Sequence, residues 1–244
     1  MATDVVPVGF FFMRLDKFIC HATGISRPHA QRAVRGGQVT VNGALSRKAD
    51  TQLRESDVVM LDGQVVTIPS LRYFMLNKPQ GYVCATTDGE HPVVLDLLQE
   101  NRLDDLQIAG RLDLDTTGLV LITDDGQWNH RVTAPARFCE KTYRVMLHDA
   151  LEERAAQQLR EGVMLHGETR ATRPAVLDFI GDDNKAVRLT IHEGKYHQVK
   201  RMFAAVGNRV VGLHRERIGS IVLDATLAAG DYRELTAAEI ASVS

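Results

Sequence analysis

Residues 110–126 join a polar segment that contains two glycines to a continuous apolar run. The run, residues 119–122, reads Leu-Val-Leu-Ile and is followed by Asp-Asp-Gly. A short apolar run that ends in a turn signal is typical of a buried strand. Residues 110–118 contain one arginine, two aspartates and two threonines, and such groups are costly to bury without partners. We therefore predict a polar loop that enters a buried strand, with a turn held by the side chains of Thr116 and Thr117.

The spacing of the charged residues in this loop is compatible with a site for chemistry. Arg111 and Asp113 are two positions apart, so they point to the same side of an extended segment. Asp115 points to that side as well, unless the loop turns between them. A polar loop attached to a rigid strand is a common location for functional residues. On these residues alone, an ion-paired structural loop and a catalytic carboxylate are both open interpretations.

The composition is ordinary for a soluble globular protein, with 44% apolar and 25% charged residues in a chain of 244. No apolar stretch is long enough to span a bilayer, so we expect no membrane partner. The three cysteines are far apart and match no disulfide framework or metal-binding spacing, which favours reduced thiols in the cytoplasm. Residues 1–12 lack the features of a signal peptide, and we interpret them as an N-terminal extension before a domain that begins at Met13.

Positive charge is concentrated in one short region, although the whole chain has a formal net charge of −2. Residues 14–48 contain seven lysines or arginines and a single acid, Asp16. A basic region on an otherwise acidic protein is typical of a surface that binds phosphate. A solvated charged face without a ligand is the alternative interpretation, and charge alone does not separate the two.

The same basic region has the pattern of a small module of helices and hairpins. Residues 14–21 place three apolar side chains on one helix face, and Ser26 is a suitable N-cap for a second helix. The dipeptides Asn42-Gly43 and Asp62-Gly63 each separate two short β-rich runs and predict tight hairpins. Two helices and a small sheet in so few residues form a module that is marginal but able to fold.

Beyond this module the pattern predicts a second, larger domain. Residues 72–83 read as strand, turn, strand, and later strands and helices follow without strict alternation. We therefore predict an α+β fold with a mainly antiparallel mixed sheet flanked by helices. The predicted organisation is an N-terminal extension at 1–12, a first domain at 13–68, a linker at 69–72 and a second domain at 73–244.

Four short motifs of the second domain occur together in one known family. They are Gly110-Arg-Leu-Asp with the Thr-Thr-Gly-Leu and Thr-Asp-Asp-Gly that follow it, Lys141-x-Tyr143, His197-Gln-Val-Lys200 and Lys78-Pro-x-Gly. The first three resemble the active-site signature and the second and third motifs of the RsuA-type pseudouridine synthases, and the last is similar to the opening of their catalytic domain. The resemblance implies a pseudouridine synthase fold for residues 73–244.

The first domain resembles the S4 RNA-binding domain, which has an αL-like fold. The resemblance rests on Arg14-Leu-Asp-Lys-Phe, on Ser26-Arg27, on the arginines of the second helix and on Val39-Thr-Val-Asn-Gly. It implies that the helix pair and the first hairpin face RNA. The residues that the two resemblances imply as RNA contacts are Arg14, Lys17, Ser26, Arg27, Arg32, Arg35, Lys78, Arg111 and Arg201.

The synthase resemblance also implies the catalytic roles. Asp113 corresponds to the catalytic aspartate, and a flipped-out base stacks on Tyr143. Lys200 is our first candidate for the cation that keeps the carboxylate ionised, and Arg111 is the second. Isomerising uridine breaks the N1–C1′ bond and joins C5 to C1′ without redox change or hydrolysis. We therefore expect an enzyme with no cofactor and no metal.

The predicted substrate is a specific uridine of 16S (small-subunit) ribosomal RNA. Residues 196–203 and 213–219 resemble the small-subunit branch of the family more than the large-subunit branch. The expected partner is 16S rRNA or an assembling small-subunit particle, and the protein is expected to be a monomer. Two alternatives stay open: a large-subunit (23S) rRNA synthase of the same family, and a non-catalytic S4-type RNA-binding factor in ribosome assembly.

Overall fold

The computed structural model describes residues 13–134 and 139–243. The interpretation of residues 1–12 as an extension therefore concerns residues outside the described part. The chain divides into two compact units with the boundary between Ser70 and Leu71. The domain limits predicted above stay predictions. Within the described residues, no helix combines the length and the apolar character that a membrane crossing needs.

Two short helices form one side of the first unit. Helix α1, Leu15–Thr23, ends at Gly24, whose φ of 77° is the left-handed conformation that favours glycine. Helix α2, Arg27–Arg35, follows Ser26 as N-cap and has a proline in its first turn. Both helices are confirmed as predicted. Their buried apolar side chains are Leu15, Ile19, Ala30, Ala33 and Val34.

The strands of the first unit are β1 (Met13–Arg14), β2 (Val39–Val41), β3 (Ala44–Leu45), β4 (Gln52–Leu53), β5 (Val59–Leu61) and β6 (Gln64–Val66). The order β3-β2-β5-β6 makes one small sheet, and β1 pairs with β4. Both residues of the Asn42-Gly43 turn have positive φ, 53° and 80°, and the Asp62-Gly63 turn has the same form. This is the geometry that a two-residue hairpin requires, so both hairpin predictions are confirmed.

The second unit is built on one large sheet. Its strands are β7 (Tyr73–Lys78), β8 (Gln107–Ala109), β9 (Thr117–Thr123), β10 (Lys141–Leu147), β11 (Val176–Ile180), β12 (Ala186–Ile191), β13 (Val210–Ile218), β14 (Ile221–Val222) and β15 (Tyr232–Glu234). The helices are α3 (Gly126–Thr133), α4 (Glu153–Glu161), α5 (Gln198–Ala205) and α6 (Ala237–Ala241), with 3₁₀ turns at Val94–Leu97 and Leu103–Asp105.

The main path of this sheet is β11-β12-β10-β13-β9-β7-β15. Neighbouring strands are antiparallel except for β9 and β13, which are parallel. The prediction of an α+β fold with a mainly antiparallel mixed sheet is confirmed.

The central strand β9 is buried on both faces of this sheet. Val120 and Ile122 pack into one apolar core, and Leu119 and Leu121 pack into another on the opposite face. Since side chains alternate along a strand, a strand covered on both sides must be apolar at every position. The prediction that residues 119–122 form a buried strand is confirmed.

Three features of the sheet differ from the sequence prediction. The second strand expected within residues 72–83 does not form, and Val83 makes only an isolated parallel bridge with Val93. Strands β8 and β15 were not predicted, since each has three residues and neither shows a clear alternation. Their pairing with β9 and β7 holds them in the extended conformation, and that is a tertiary effect.

Candidate active site

The loop of residues 110–116 carries the predicted catalytic carboxylate and leads directly into β9. Gly110 adopts a φ of 86°, which allows the chain to turn as it leaves β8. A second turn is closed by the backbone, because the N–H of Thr116 donates to the carbonyl of Asp113 at 3.1 Å. The side-chain contribution of Thr116 that we predicted is absent: its hydroxyl is buried and has no hydrogen-bond partner among the described residues. Asp113 lies at this turn, with 29% of its side chain exposed.

The predicted cation lies beside this carboxylate. Lys200, in the first turn of α5, places Nζ 3.1 Å from Oδ2 of Asp113 and 2.6 Å from Oδ1 of Asp115. Burial lowers the pKa of Lys200, but the hydrogen bonds and charges of the two aspartates outweigh it, so the pKa is raised. The hydrogen bond from Lys200 lowers the pKa of Asp115. Lys200 therefore stays an ammonium shared by two carboxylates.

Asp113 has a second basic neighbour that the sequence analysis left without a role. Nε2 of His197, the residue before α5, lies 3.4 Å from Oδ1 of Asp113. The two oxygens of one carboxylate are thus approached by different basic groups, one by His197 and the other by Lys200. This arrangement fixes the orientation of the carboxylate in the cavity.

Asp113, Tyr143 and Lys200 line a single cavity of about 770 Å³. Tyr143 is on β10 and is only 8% exposed, which places its ring deep in the cavity wall. Apolar side chains from several strands complete the wall, including Leu112, Ile191, Val199 and Leu213. A cavity of this volume accommodates a nucleobase, and its mixture of apolar walls and few charged groups is typical of a ligand site.

Arg111 also lines the cavity, and its side chain is exposed. No hydrogen bond or ion pair of its guanidinium is found among the described residues, so the group is available to a phosphate. Lys200, the first candidate, makes the ion pair with Asp113, and Arg111, the second, does not.

The prediction that Lys78 contacts RNA is wrong. Its side chain is fully buried at the end of β7. Nζ donates to the carbonyls of Thr116 at 2.7 Å, Pro79 at 3.0 Å and Leu114 at 3.3 Å. Burial lowers the pKa of Lys78. The lysine therefore holds the loop that carries Asp113 from the protein interior. Its side chain is not exposed, so a phosphate cannot reach it.

Arg201 is held largely by the protein itself. Its Nη2 donates to the carbonyl of His166 at 2.7 Å, and Nη1 donates to the carbonyl of Tyr196 at 3.1 Å. Nη1 is also 3.4 Å from a carboxylate oxygen of Glu168. Its side chain is 27% exposed and is not part of the cavity lining, so an RNA contact stays a prediction.

Arg215 is a cavity residue to which the sequence analysis gave no role. Its side chain is 1% exposed, and Nε donates to the carbonyl of Leu119 at 2.8 Å. Nη2 donates to the carbonyl of Gly110 at 2.6 Å, and the guanidinium carbon is 6.0 Å from the ring centre of Tyr143. A signal was present, because Arg215 is two positions from Leu213 in a strand and so shares its core-facing side.

In the first unit, two predicted RNA contacts converge on a buried acid. The fully buried carboxylate of Asp16 accepts hydrogen bonds from Arg14 at 3.0 Å, Gln31 at 3.0 Å and Arg27 at 3.2 Å. Burial raises the pKa of Asp16, but these hydrogen bonds outweigh it, so the pKa is lowered. The two arginine side chains stay 41% and 56% exposed, which leaves part of each guanidinium facing solvent.

The other predicted contacts of the first unit lie at its surface. Lys17, Arg32 and Arg35 are exposed, and no side-chain partner is found for them in the part of the chain that the structure describes. Ser26 is exposed, and its Oγ is 2.7 Å from Nδ1 of His29. As to metals, no group of three His, Cys, Asp or Glu side chains within residues 13–134 and 139–243 is arranged to hold an ion.

Comparison with known families gives two matches. Residues 72–205 match the family described as RNA pseudouridylate synthase, and residues 13–59 match the S4 domain. The first match covers the loop with Asp113, the strand with Tyr143 and the helix with Lys200. The second covers Asp16 and the arginines around it.

Several named proteins are similar to this chain along nearly their whole length. The chain is 57% identical over 232 residues to ribosomal small subunit pseudouridine synthase A of Escherichia coli strain K12. The aligned region covers 95% of this chain and 100% of that protein. The protein of the same name from Vibrio cholerae serotype O1 is 52% identical over 231 residues and covers 95% and 99%. A crystal structure of pseudouridylate synthase superposes with a TM-score of 0.69 at 48% identity, covering 95% of this chain and all of that one.

Proposed function

The chain belongs to the RNA pseudouridylate synthase family, and we propose that it isomerises a specific uridine of 16S (small-subunit) ribosomal RNA to pseudouridine. The observation that carries this proposal is the meeting of Asp113, Lys200 and Tyr143 in one cavity. The names of the relatives at 52–57% identity support the small subunit as the source of the substrate.

Asp113 is the group we propose to act on the sugar. Breaking the N1–C1′ bond develops positive charge at C1′, and a carboxylate either attacks that carbon or stabilises its charge. The ammonium of Lys200 lies 3.1 Å from Oδ2 of Asp113 and holds this oxygen in place by its charge. The uracil then turns and C5 bonds to C1′; on the route in which the carboxylate has attacked, the bond between Asp113 and C1′ breaks in this step. C5 loses its proton and N1 gains one. The atoms balance without an oxidant, a reductant or a water molecule.

Tyr143 is the group we propose to hold the uracil. A base within folded RNA must leave its stack before Asp113 can reach the sugar. Stacking on an aromatic ring returns ~1–3 kcal/mol of the cost. The ring lies in the wall of the cavity at 8% exposure, and the guanidinium carbon of Arg215 is 6.0 Å from its centre. The hydroxyl of Tyr143 is a candidate for moving the C5 proton.

The first unit is the part we propose to bind RNA. Its match to the S4 domain and its exposed Lys17, Arg32 and Arg35 support this role. Phosphate contacts of this kind position an enzyme on RNA and do not read sequence by themselves. We further propose that the protein acts in the cytoplasm as a monomer, on 16S rRNA or on an assembling small-subunit particle.

The test of the proposed function is Asp113→Asn in the full-length protein. Because the side-chain amide of asparagine is neither nucleophilic nor charged, we expect pseudouridine formation to fall by at least about 10⁴-fold. Binding to 16S rRNA should change little, since the shape of the side chain is kept. Pseudouridine is mapped in 16S and 23S rRNA incubated with wild type and variant. Asp149→Asn is the control, because Asp149 is 71% exposed and lies outside the cavity.

The outcome separates the alternatives. Normal product from Asp113→Asn would eliminate the catalytic assignment. Product in 23S rRNA instead of 16S rRNA would identify a large-subunit enzyme of the same mechanism. A non-catalytic assembly factor would yield no product with wild type, and its function in cells would depend on Arg32 and Arg35 but not on Asp113.

A further inference from the structure

Tyr196 presents an aromatic ring to solvent at the mouth of the cavity. Its side chain is 76% exposed, more than any other large apolar side chain among the described residues. The ring is nevertheless ordered by a stack on His197, with ring centres 3.8 Å apart and planes inclined by 19°. One face of the tyrosine therefore lies against His197, and the other face is open.

The backbone that holds this pair is constrained from several sides. His197 has a φ of 47°, a left-handed conformation that costs free energy in a residue other than glycine. The buried Gln198 holds the segment, because its Oε1 accepts from the N–H of Lys195 at 2.9 Å and its Nε2 donates to Glu193 at 2.8 Å. Strain that the surroundings maintain in this way is concentrated at functional sites.

The stacked pair is continuous with the proposed catalytic centre. His197 and Tyr196 both line the cavity that contains Asp113, and Nε2 of His197 is 3.4 Å from Oδ1 of that residue. The aromatic ring of Tyr143, at 8% exposure, lies deep in the cavity, and that of Tyr196, at 76%, lies at its edge. Tyr196 thus stacks on His197, and His197 in turn contacts the carboxylate of Asp113.

We propose that Tyr196, supported by His197, is a stacking platform for an unpaired nucleobase next to the target uridine in the RNA strand. This inference rests on the proposed function. When the uridine leaves its stack, its neighbours lose an aromatic contact, and a flat ring at the cavity mouth replaces it. The platform accepts any base, because every base has a π-face.

A nucleobase fits this surface better than a protein partner does. Of the exposed large apolar side chains in the described part of the chain, Tyr196 alone lines the cavity. A stable protein interface buries roughly 800 Å² on each partner, far more than one ring offers. A single base needs only one ring, and the ring stands beside the groups that would hold the adjacent nucleotide.

The experiment combines protein variants with altered RNA. The RNA is a 16S rRNA fragment around the uridine that wild-type protein modifies, made with the natural base or with an abasic nucleotide on either side of that uridine. Affinity and single-turnover rate are measured for full-length wild type, Tyr196→Ala, Tyr196→Phe and the control Met164→Ala. Met164 is 55% exposed and lies outside the cavity.

We expect Tyr196→Ala to weaken binding by about 5- to 100-fold, while Tyr196→Phe and Met164→Ala stay within about twofold of wild type. The abasic nucleotide on one side should weaken wild type by a similar factor and add almost nothing to Tyr196→Ala. A purely structural role for Tyr196 would leave the abasic penalty unchanged in the alanine variant, so this non-additivity is specific to stacking.

Three results would overturn the inference while the proposed function stands. The first is wild-type affinity for Tyr196→Ala, and the second is a full abasic penalty in that variant on both sides. The third is an abasic penalty of zero with wild type, which decides the question whether or not the alanine variant folds. Absence of pseudouridine from all rRNA incubated with wild type would overturn the proposed function and this inference with it.

Discussion

At the scale of single residues, a buried guanidinium connects the loop with Asp113 to the sheet. Arg215 donates to the carbonyl of Gly110 at the start of the loop and to the carbonyl of Leu119 in β9. No carboxylate lies within ion-pair distance of it in the described part of the chain, so its positive charge faces carbonyl oxygens and the ring of Tyr143. Burying a charge is costly, and the hydrogen bonds to these carbonyls offset part of that cost. We infer that Arg215 is a positioning residue for the loop.

Arg215→Lys tests this position. Lysine keeps the charge but lacks the planar fork that reaches two carbonyls at once. We expect the single-turnover rate to fall by about 10- to 100-fold, because displacing a catalytic group by about 1 Å has effects of this size. Affinity for rRNA should change by less than about twofold, which separates positioning from binding.

The control for this substitution is Arg144→Lys. Arg144 is 49% exposed, pairs with Glu216 and lies outside the cavity. It should keep the wild-type rate. Equal rates for Arg215→Lys and wild type, in proteins of equal melting temperature, would show that the loop is held by other contacts such as those of Lys78.

At the scale of secondary structure, the site depends on the close approach of two parallel strands. Gly118 of β9 is paired with Arg215 of β13. A Cβ on Gly118 would lie 2.4 Å from the carbonyl oxygen of Arg215 and 2.8 Å from its nitrogen. The glycine also has a φ of 99°, which other residues rarely adopt. Because Gly118 has no side chain, β9, which follows the Asp113 loop, can lie this close to β13, which carries Arg215.

Gly118→Ala should destabilise the second unit strongly. The clash is with backbone atoms, which cannot move aside as a flexible side chain can, and the positive φ adds strain. We expect a loss of ~3 kcal/mol or more in the free energy of unfolding and loss of activity. Urea unfolding of the full-length protein, followed by circular dichroism, gives the measurement.

Gly126→Ala is the matched control. Gly126 is the first residue of α3, has no positive φ, and has open space where a Cβ would stand. Alanine there should be neutral or slightly stabilising, because it favours the helix. If both variants unfold at the same urea concentration, the close approach of β9 and β13 is not what limits stability.

At the scale of the whole molecule, the proposed binding and catalytic functions are located in different units. The cavity is lined by residues from Val83 to Arg215, all within the second unit. The exposed Lys17, Arg32 and Arg35 belong to the first. Since the formal net charge is only −2, we expect local positive charge, and not the charge of the whole chain, to attract RNA.

Arg32→Glu and Arg35→Glu, made singly, should therefore weaken binding without changing the chemical step. Each lost phosphate contact should make the negative slope of log affinity against log salt shallower by about 0.7 to 0.9. The single-turnover rate at saturating protein should stay within about twofold of wild type. Arg54→Glu is the control, since Arg54 is exposed in the same unit and is not a predicted contact. An unchanged salt slope for both test variants would contradict the role of α2 in RNA binding.

The local elements of this protein could be predicted because their causes lie within a few residues. The turn at Asn42-Gly43 needs positive φ at two adjacent positions, and this dipeptide adopts it readily. The apolar run at 119–122 is continuous because both faces of its strand are covered. The resemblance of separate motifs led to the carboxylate and the lysine that the fold brings to 3.1 Å.

What the sequence alone did not reveal depends on contacts between distant residues. A lysine at the end of a strand is usually solvated, yet Lys78 is buried because the loop that ends at Thr116, 38 positions later, covers its amine and accepts its hydrogen bond. The partners of Arg215 lie 96 and 105 positions before it. Periodicity reports which side of an element a residue occupies, but not which element covers that side. Only the tertiary packing determined that Lys78 and Arg215 are buried and hold the loop, while the side chain of Arg111 stays exposed.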